Sequence, residues 1–330
     1  MPSAHHEFLT QQGASFAKDG SLQHFGSPFE NAFAYCHHLS VLTIIGEDAA
    51  TFLQGQLTCD IREVEQNEPR FGAHLNLQGR VLFALWVIPT PAKNGFRLIV
   101  PTAMVADVQE HWAKYLMFSR STLSVEQELV VLMAPQSHGE PLTQHLKLAS
   151  EALSHNDTWQ HFAALGNHYF ITHTKALEAV WPELLTFGTI GGEPQAHWWD
   201  IAAGLAQIYP GAHQAFLPQV LNYDLFQGIS FNKGCYTGQE VVARMKFKGQ
   251  LKQRLHHISW PEAVTAAPGD TLRNEQGRAL GQVVVSLEYQ GKLHALVVLR
   301  RDHDLPQQLN DTPITPSLEA LPYPLPEPGK

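Results

Sequence analysis

The chain has 330 residues, 44% of them hydrophobic and 16% charged, and a formal net charge of -9 with its 19 histidines neutral. Such a length exceeds one ordinary core and implies two or three domains, and the acidic balance argues against direct nucleic-acid binding by the surface as a whole. No apolar run approaches the roughly 18 residues that cross a bilayer, so no membrane association is expected.

Met1 to Gly20 lacks a basic region followed by an apolar one and does not read as a signal peptide, which places the protein in the cytoplasm. From about residue 39 the pattern becomes structured. Val41 to Ile45 reads as a strand, and Asp48 to Leu57 as a short helix with Phe52, Leu53 and Leu57 inward. Ala73 to Leu77 and Arg80 to Ile88 form a predicted hairpin around Gln78-Gly79, ended by Pro89-Thr90-Pro91. A strand at Phe96 to Val100, a helix capped by Thr102 and running to Phe118, strands at Val130 to Met133 and Tyr169 to Thr172, and helices at Pro141 to Leu153 and Lys175 to Trp181 make a middle unit of mixed type. A ferredoxin-like arrangement satisfies that order. Trp198 to Ala206 reads as a helix. After it the pattern turns to β, with strands at Leu255 to Ser259, Gly281 to Leu287 and Leu293 to Leu299 between glycine turns, as in a small barrel. The proline-rich end from Leu321 reads as an extended tail.

Three cysteines, Cys36, Cys59 and Cys235, are far apart and odd in number, which suits a reducing compartment better than a disulfide framework. No Cys/His pair has zinc-site spacing and no HExxH occurs, so no stably bound metal is expected and the histidines receive no catalytic role. If all of them gained protons, the charge would move from -9 to -9 + 19 = +10.

The richest stretch is Lys233-Gly234-Cys235-Tyr236-Thr237-Gly238-Gln239-Glu240. It sets a thiol between two glycines ahead of a predicted helix. Thr237 and Glu240 have capping-box spacing, which starts the helix at about Gly238. Gly234 and Gly238 allow positive φ angles. Cys235 then lies just outside a positive helix end and two residues from Lys233, both of which favour thiolate. The bland reading is a small buried hydrophobe. Next, Arg244, Lys246, Lys248, Lys252 and Arg254 put five positive charges into eleven residues. This is either a solvated face or a patch for an anion, a small one in preference to RNA because the run follows the thiol helix directly.

The stretch, continued as Val241-Val242-Ala243-Arg244 and preceded by Gly228-Ile229-Ser230-Phe231, resembles the signature of the YgfZ family, bacterial folate-binding proteins that support iron-sulfur enzymes and, through them, tRNA modification. That family is related to the aminomethyltransferase (T-protein) of the glycine cleavage system. Gly46-Glu47-Asp48-Ala49 with Phe52-Leu53-Gln54-Gly55-Gln56-Leu57-Thr58, then Pro218-Gln219, Asn222 and Pro268-Gly269-Asp270, extend the likeness over roughly residues 40 to 300. The resemblance implies an α+β, T-protein-like multidomain fold: a discontinuous folate-binding domain at 21–92 and 195–248, a ferredoxin-like middle domain at 93–194, a C-terminal β-barrel at 249–320, and tails at 1–20 and 321–330. It also implies a tetrahydrofolate-type ligand near Trp198, Trp199, Tyr236 and Arg244, and Cys235 with Lys233 as the chemical centre.

T-proteins carry two aspartates where this chain has Leu82 and Phe83, which argues against aminomethyl transfer and against a conventional enzyme. Ala202 stands in Ile201-Ala202-Ala203-Gly204 where relatives have a pterin-binding glutamate. One thiolate cannot hold a cluster alone, so Cys235 would act as a transient ligand with iron-sulfur client or assembly proteins as partners. The alternatives are a folate-dependent one-carbon transferase and a folate-sensing scaffold without chemistry.

Overall fold

The computed structural model describes residues 4–18, 22–27, 29–149, 151–261, 263–300 and 305–326. The stretch read as an N-terminal tail is packed. Helix α1 (Ala4–Gln11) buries Leu9 fully and sets Phe8 edge-on to Trp181, and β1 (Ser15–Phe16) pairs with β2 (Leu22–His24). Apolar side chains with partners to cover them hold this segment down. Residues 1–3 and 19–20 of it lie outside the described residues.

After β3 (Phe33–Tyr35) come β4 (Leu39–Gly46), α2 (Ala49–Gln56), α3 (Ile61–Glu65), β5 (Arg70–Leu75), β6 (Val81–Pro89), β7 (Gly95–Pro101), α4 (Val105–Leu116) and β8 (Ser121–Val125). Strands β4 to β8 form one antiparallel sheet in the order β5-β6-β7-β4-β8. Without the edge strand β5 this is the ferredoxin-like order. One face carries α2 and α4, whose Phe52, Leu53, Val108 and Trp112 are buried against Leu42, Ile44 and Phe83. The predicted hairpin and short helix are both present. The domain boundary at 93 is corrected, because β7 bonds to β4 and β6, and β8 to β4. Periodicity marks a strand but not the neighbour it bonds. Thr102 opens a 3-10 turn that precedes α4 and makes no side-chain cap; its amide donates to His38 O at 2.7 Å.

The second unit runs β9 (Leu129–Pro135), α5 (Gln136–His145), β10 (Leu153–His155), β11 (Trp159–Ala164), β12 (Asn167–His173), α6 (Thr174–Phe187) and β13 (Ile190–Gly191). Its sheet order is β10-β11-β12-β9-β3-β13, the same plan repeated with the N-terminal β3 intercalated between β9 and β13. The ferredoxin-like sheet expected at 93–194 therefore begins only at 129. Helix α7 (Glu193–Ala202) and the 203–238 segment lead to α8 (Gln239–Phe247). The C-terminal part is β14 (Gln253–Pro261), β15 (Thr271–Arg273), β16 (Ala279–Tyr289), β17 (Lys292–Arg300), β18 (Gln308–Leu309), β19 (Thr312–Pro313) and β20 (Ser317–Glu319). They make a curled seven-stranded antiparallel sheet, ordered β19-β18-β15-β16-β17-β14-β20, with β19 and β20 as its two ends. Tyr323 anchors what was expected as a loose tail, donating its hydroxyl to Gly204 O at 2.7 Å. Residues 327–330 lie outside the described residues.

No helix among the described residues is long and apolar enough to cross a membrane. Burial holds His38, His74, His161, His168, His257 and His294 below the ordinary histidine pKa, so the charge swing on acidification is smaller than the count of histidines suggests.

Candidate functional site

Two blocks far apart in sequence, residues 52–60 and 228–240, meet beside the β5–β6 hairpin. Thr58 is the node. It is fully buried, its amide donates to Ala73 O at 3.0 Å, and its hydroxyl accepts from Ala73 N at 2.9 Å while donating to Gly228 O at 2.6 Å. Its carbonyl accepts from Ser230 N at 2.9 Å, and the Gly55 carbonyl accepts from Thr237 N at 3.2 Å. Gly228 fits because a Cβ there would lie 2.8 Å from Tyr223 O. Asp60 caps α3 through Arg62 N at 3.1 Å, and the Arg62 guanidinium holds its carboxyl well below the usual carboxylate range.

Lys233 is buried and points into this junction, donating through Nζ to Leu57 O at 2.7 Å and Cys59 O at 2.6 Å. Burial pushes its pKa down to about 8, against the opposing pull of Cys59 and Asp60. The ammonium also lies 5.1 Å from the Tyr236 ring centre. Lys233 thus acts as a clasp between the blocks, and its charge is committed to backbone carbonyls. Cys59 is the thiol it faces electrostatically; burial raises that thiol to about 11, with Lys233 partly offsetting the rise.

The capping box does not form. Gly238 is the N-cap of α8 in the left-handed region, with φ 79 and no side-chain cap bond. A Cβ on Gly238 would stand 2.5 Å from Asn76 O and 2.9 Å from Leu75 Cβ, so close approach of α8 to the hairpin requires glycine. Gly234 has no positive φ, and a Cβ there would meet nothing within 4 Å. The helix start is nevertheless where the sequence placed it, to within one residue. Cys235 is exposed on this braced turn, whereas Cys36 and Cys59 are buried.

The four residues named for folate do not converge into one cradle. Tyr236 is buried beside Lys233, and Arg244 is exposed on α8. Trp199 is buried in the core. The Trp198 ring stacks on Tyr289 of the C-terminal sheet at 3.9 Å and 19°, with His294 edge-on at 4.8 Å. Among the described residues no ring contact joins either tryptophan to Tyr236. The basic run is also divided: Lys246, Lys248 and Arg244 are exposed, but Arg254 is buried and paired with Asp224 through two bonds of 2.6 and 2.9 Å, with a third to Gln219 O at 2.8 Å. Gln219 and Asn222 prove structural, donating to Val242 O at 2.7 Å and Leu255 O at 3.0 Å.

Leu82 and Phe83 both face the apolar cluster under α2 and α4. Consecutive strand residues share a face here because a bulge pairs His74 with Phe83 and Leu75 with Val81, leaving Leu82 as the extra residue. Phe83 stacks on His74 at 4.9 Å, and burial pushes the His74 imidazole down to about 4. No carboxylate comes from this pair. The bulge was invisible in a sequence that reads as an uninterrupted apolar strand.

No protein-family model matches the chain. It is 29% identical over 300 residues to the tRNA-modifying protein YgfZ of Sodalis glossinidius (strain morsitans), covering 86% of this chain and 90% of that protein. It is 28% identical over 302 residues to the protein of the same name from Klebsiella pneumoniae (strain 342), covering 87% and 91%. In structure it is similar to the glycine cleavage system aminomethyltransferase T of Bartonella henselae, with a TM-score of 0.73 over 96% of each chain at 15% identity. The resemblance to YgfZ carried by the 52–58 and 233–240 blocks thus extends over more than four-fifths of the chain, on the fold of aminomethyltransferase T.

Proposed function

We propose that this chain is a folate-binding accessory protein that supports iron-sulfur clusters of client enzymes, and through them tRNA modification, with Cys235 as its functional thiol. The observation that carries the reading is the exposure of Cys235 on a turn pinned from both sides, by Lys233 to the 57–59 carbonyls and by Gly238 against the hairpin. A thiol held out on a fixed turn suits brief ligation of a metal cluster carried by another protein. Ordinary clusters take four cysteine ligands, so this thiol supplies one and the partner the rest. The cluster is cargo in this reading. Leu82 and Phe83 leave the aminomethyl-transfer reading without its carboxylates.

Folate enters through the likeness to the T-protein fold and not through the residues first named for it. Trp198 already has a stacking partner and Ala202 offers no carboxylate, so no step is routed through the pterin. The deciding experiment is complementation of a strain lacking the protein, with iron-sulfur enzyme activities and tRNA modification as readouts. Wild type restores both. Cys235→Ala restores neither, at equal protein level. Full rescue by Cys235→Ala would refute the role of the thiol.

A further inference from the structure

A second set of ligating side chains lies away from Cys235, where the turn before β4 meets the N-terminal end of α7. His38, Glu193 and His197 each offer one ligand atom, and these atoms all lie within 4.8 Å of one another. Glu193 and His197 are one helical turn apart on α7, so their side chains fall on the same face, with Oε1 3.3 Å from Nε2. His38 comes from the turn before β4, its ring 4.5 Å from that of His197 and at 72° to it. His38 is 7% exposed, and neither of its ring nitrogens has a hydrogen-bond partner. A buried imidazole with both nitrogens unsatisfied is a costly arrangement that calls for a ligand.

From this geometry we infer that His38, Glu193 and His197 bind one divalent first-row transition-metal ion. Two imidazoles and one carboxylate are the donor set that such ions take, leaving coordination positions open. Metal bonds of about 2.0–2.2 Å set tetrahedral ligand atoms roughly 3.4 Å apart. The Glu193–His197 pair already meets that spacing, and side-chain rotation closes the remainder. If His197 ligates through Nε2, it gives up the 3.1 Å hydrogen bond that this atom makes with the Tyr209 hydroxyl. A cleft of about 270 Å³, lined by His24, Phe25, Glu193, Pro194, His197 and Leu287, opens onto the two α7 ligands and supplies the entry path. Sequence spacing could not reveal the site, because the two elements carrying it meet only in the fold.

The test uses the full chain without an affinity tag, titrated with Co2+ and followed by its visible d–d absorption, then by displacement with Zn2+. Wild type is expected to take up one tight equivalent with an intense spectrum of low coordination number, and its thermal midpoint is expected to rise with the metal. Glu193→Gln, on the partly exposed helix end, should keep the fold and lose at least tenfold in affinity. His38→Leu should abolish the spectrum, and a His5→Ala/His6→Ala double variant should leave it intact. A wild type without a tight equivalent overturns the inference. So does a Glu193→Gln protein that binds as tightly as wild type, which would assign the ion to the histidine-rich surface.

Discussion

Lys233→Met tests whether the ammonium clasp holds the two sequence blocks together. Methionine keeps most of the stem's volume and removes the charge and the donors. The two carbonyls, of Leu57 and Cys59, then lose an ammonium at 2.7 and 2.6 Å. Charge-assisted bonds of this kind contribute about 1.5–3 kcal/mol each, and the penalty for burying the charge offsets part of that sum. The expected net loss is about 2 kcal/mol at neutral pH by urea unfolding. The pH dependence is specific. The lysine's pKa falls from 10.5 to about 8 on folding, so above pH 8 the unfolded chain holds a proton that the folded chain has released. Wild type therefore gains stability as pH rises through that window, by about 1 kcal/mol between pH ~7.5 and ~9, and the variant does not. Cys59 works in the opposite sense, its pKa rising from 9.0 to about 11, but it does so in wild type and variant alike and drops out of their difference. A stability difference that stays flat across this interval, or a variant as stable as wild type, would refute the clasp.

Gly238→Ala forces a side chain into the left-handed region at φ 79 and to 2.5 Å from Asn76 O, so a loss above about 1–2 kcal/mol is expected by thermal unfolding, while Gly234→Ala is silent. Iodoacetamide should modify Cys235 alone in the native protein, with Cys36 and Cys59 reacting only after denaturant; native labelling of Cys59, read by peptide mass, would contradict its burial. Asp224→Asn leaves the buried Arg254 guanidinium without its carboxylate and should cost about 3–5 kcal/mol, whereas Lys248→Ala in the same basic run should cost less than ~0.5 kcal/mol.

The sequence located what is local. The 49–56 helix, the 70–89 hairpin and the start of α8 follow from periodicity and glycine, and they stand where they were expected. It misassigned what depends on partners. Phe96 to Val100 read as a strand of a middle domain and Ser121–Val125 as no strand at all, because pattern carries no information on pairing, and Arg254 read as surface because charge was counted without Asp224. The capping box failed for a local reason: the N-cap is Gly238, in the left-handed region, so Thr237 falls one residue outside the cap position, and spacing alone does not report φ. Lys233 lies two residues from Cys235 in the sequence, yet its ammonium bonds the carbonyls of a segment far away in the chain.

The strand β3, lodged between β9 and β13, has a consequence for synthesis. Phe33–Tyr35 leaves the ribosome long before Leu129–Pro135 and Ile190–Gly191 exist to receive it. At about 5–20 residues per second the wait is on the order of ten seconds. Throughout it a strand that ends fully buried has no sheet to join. The sequence distance between β3 and its two neighbours makes this pairing the kind of non-local contact that forms slowly.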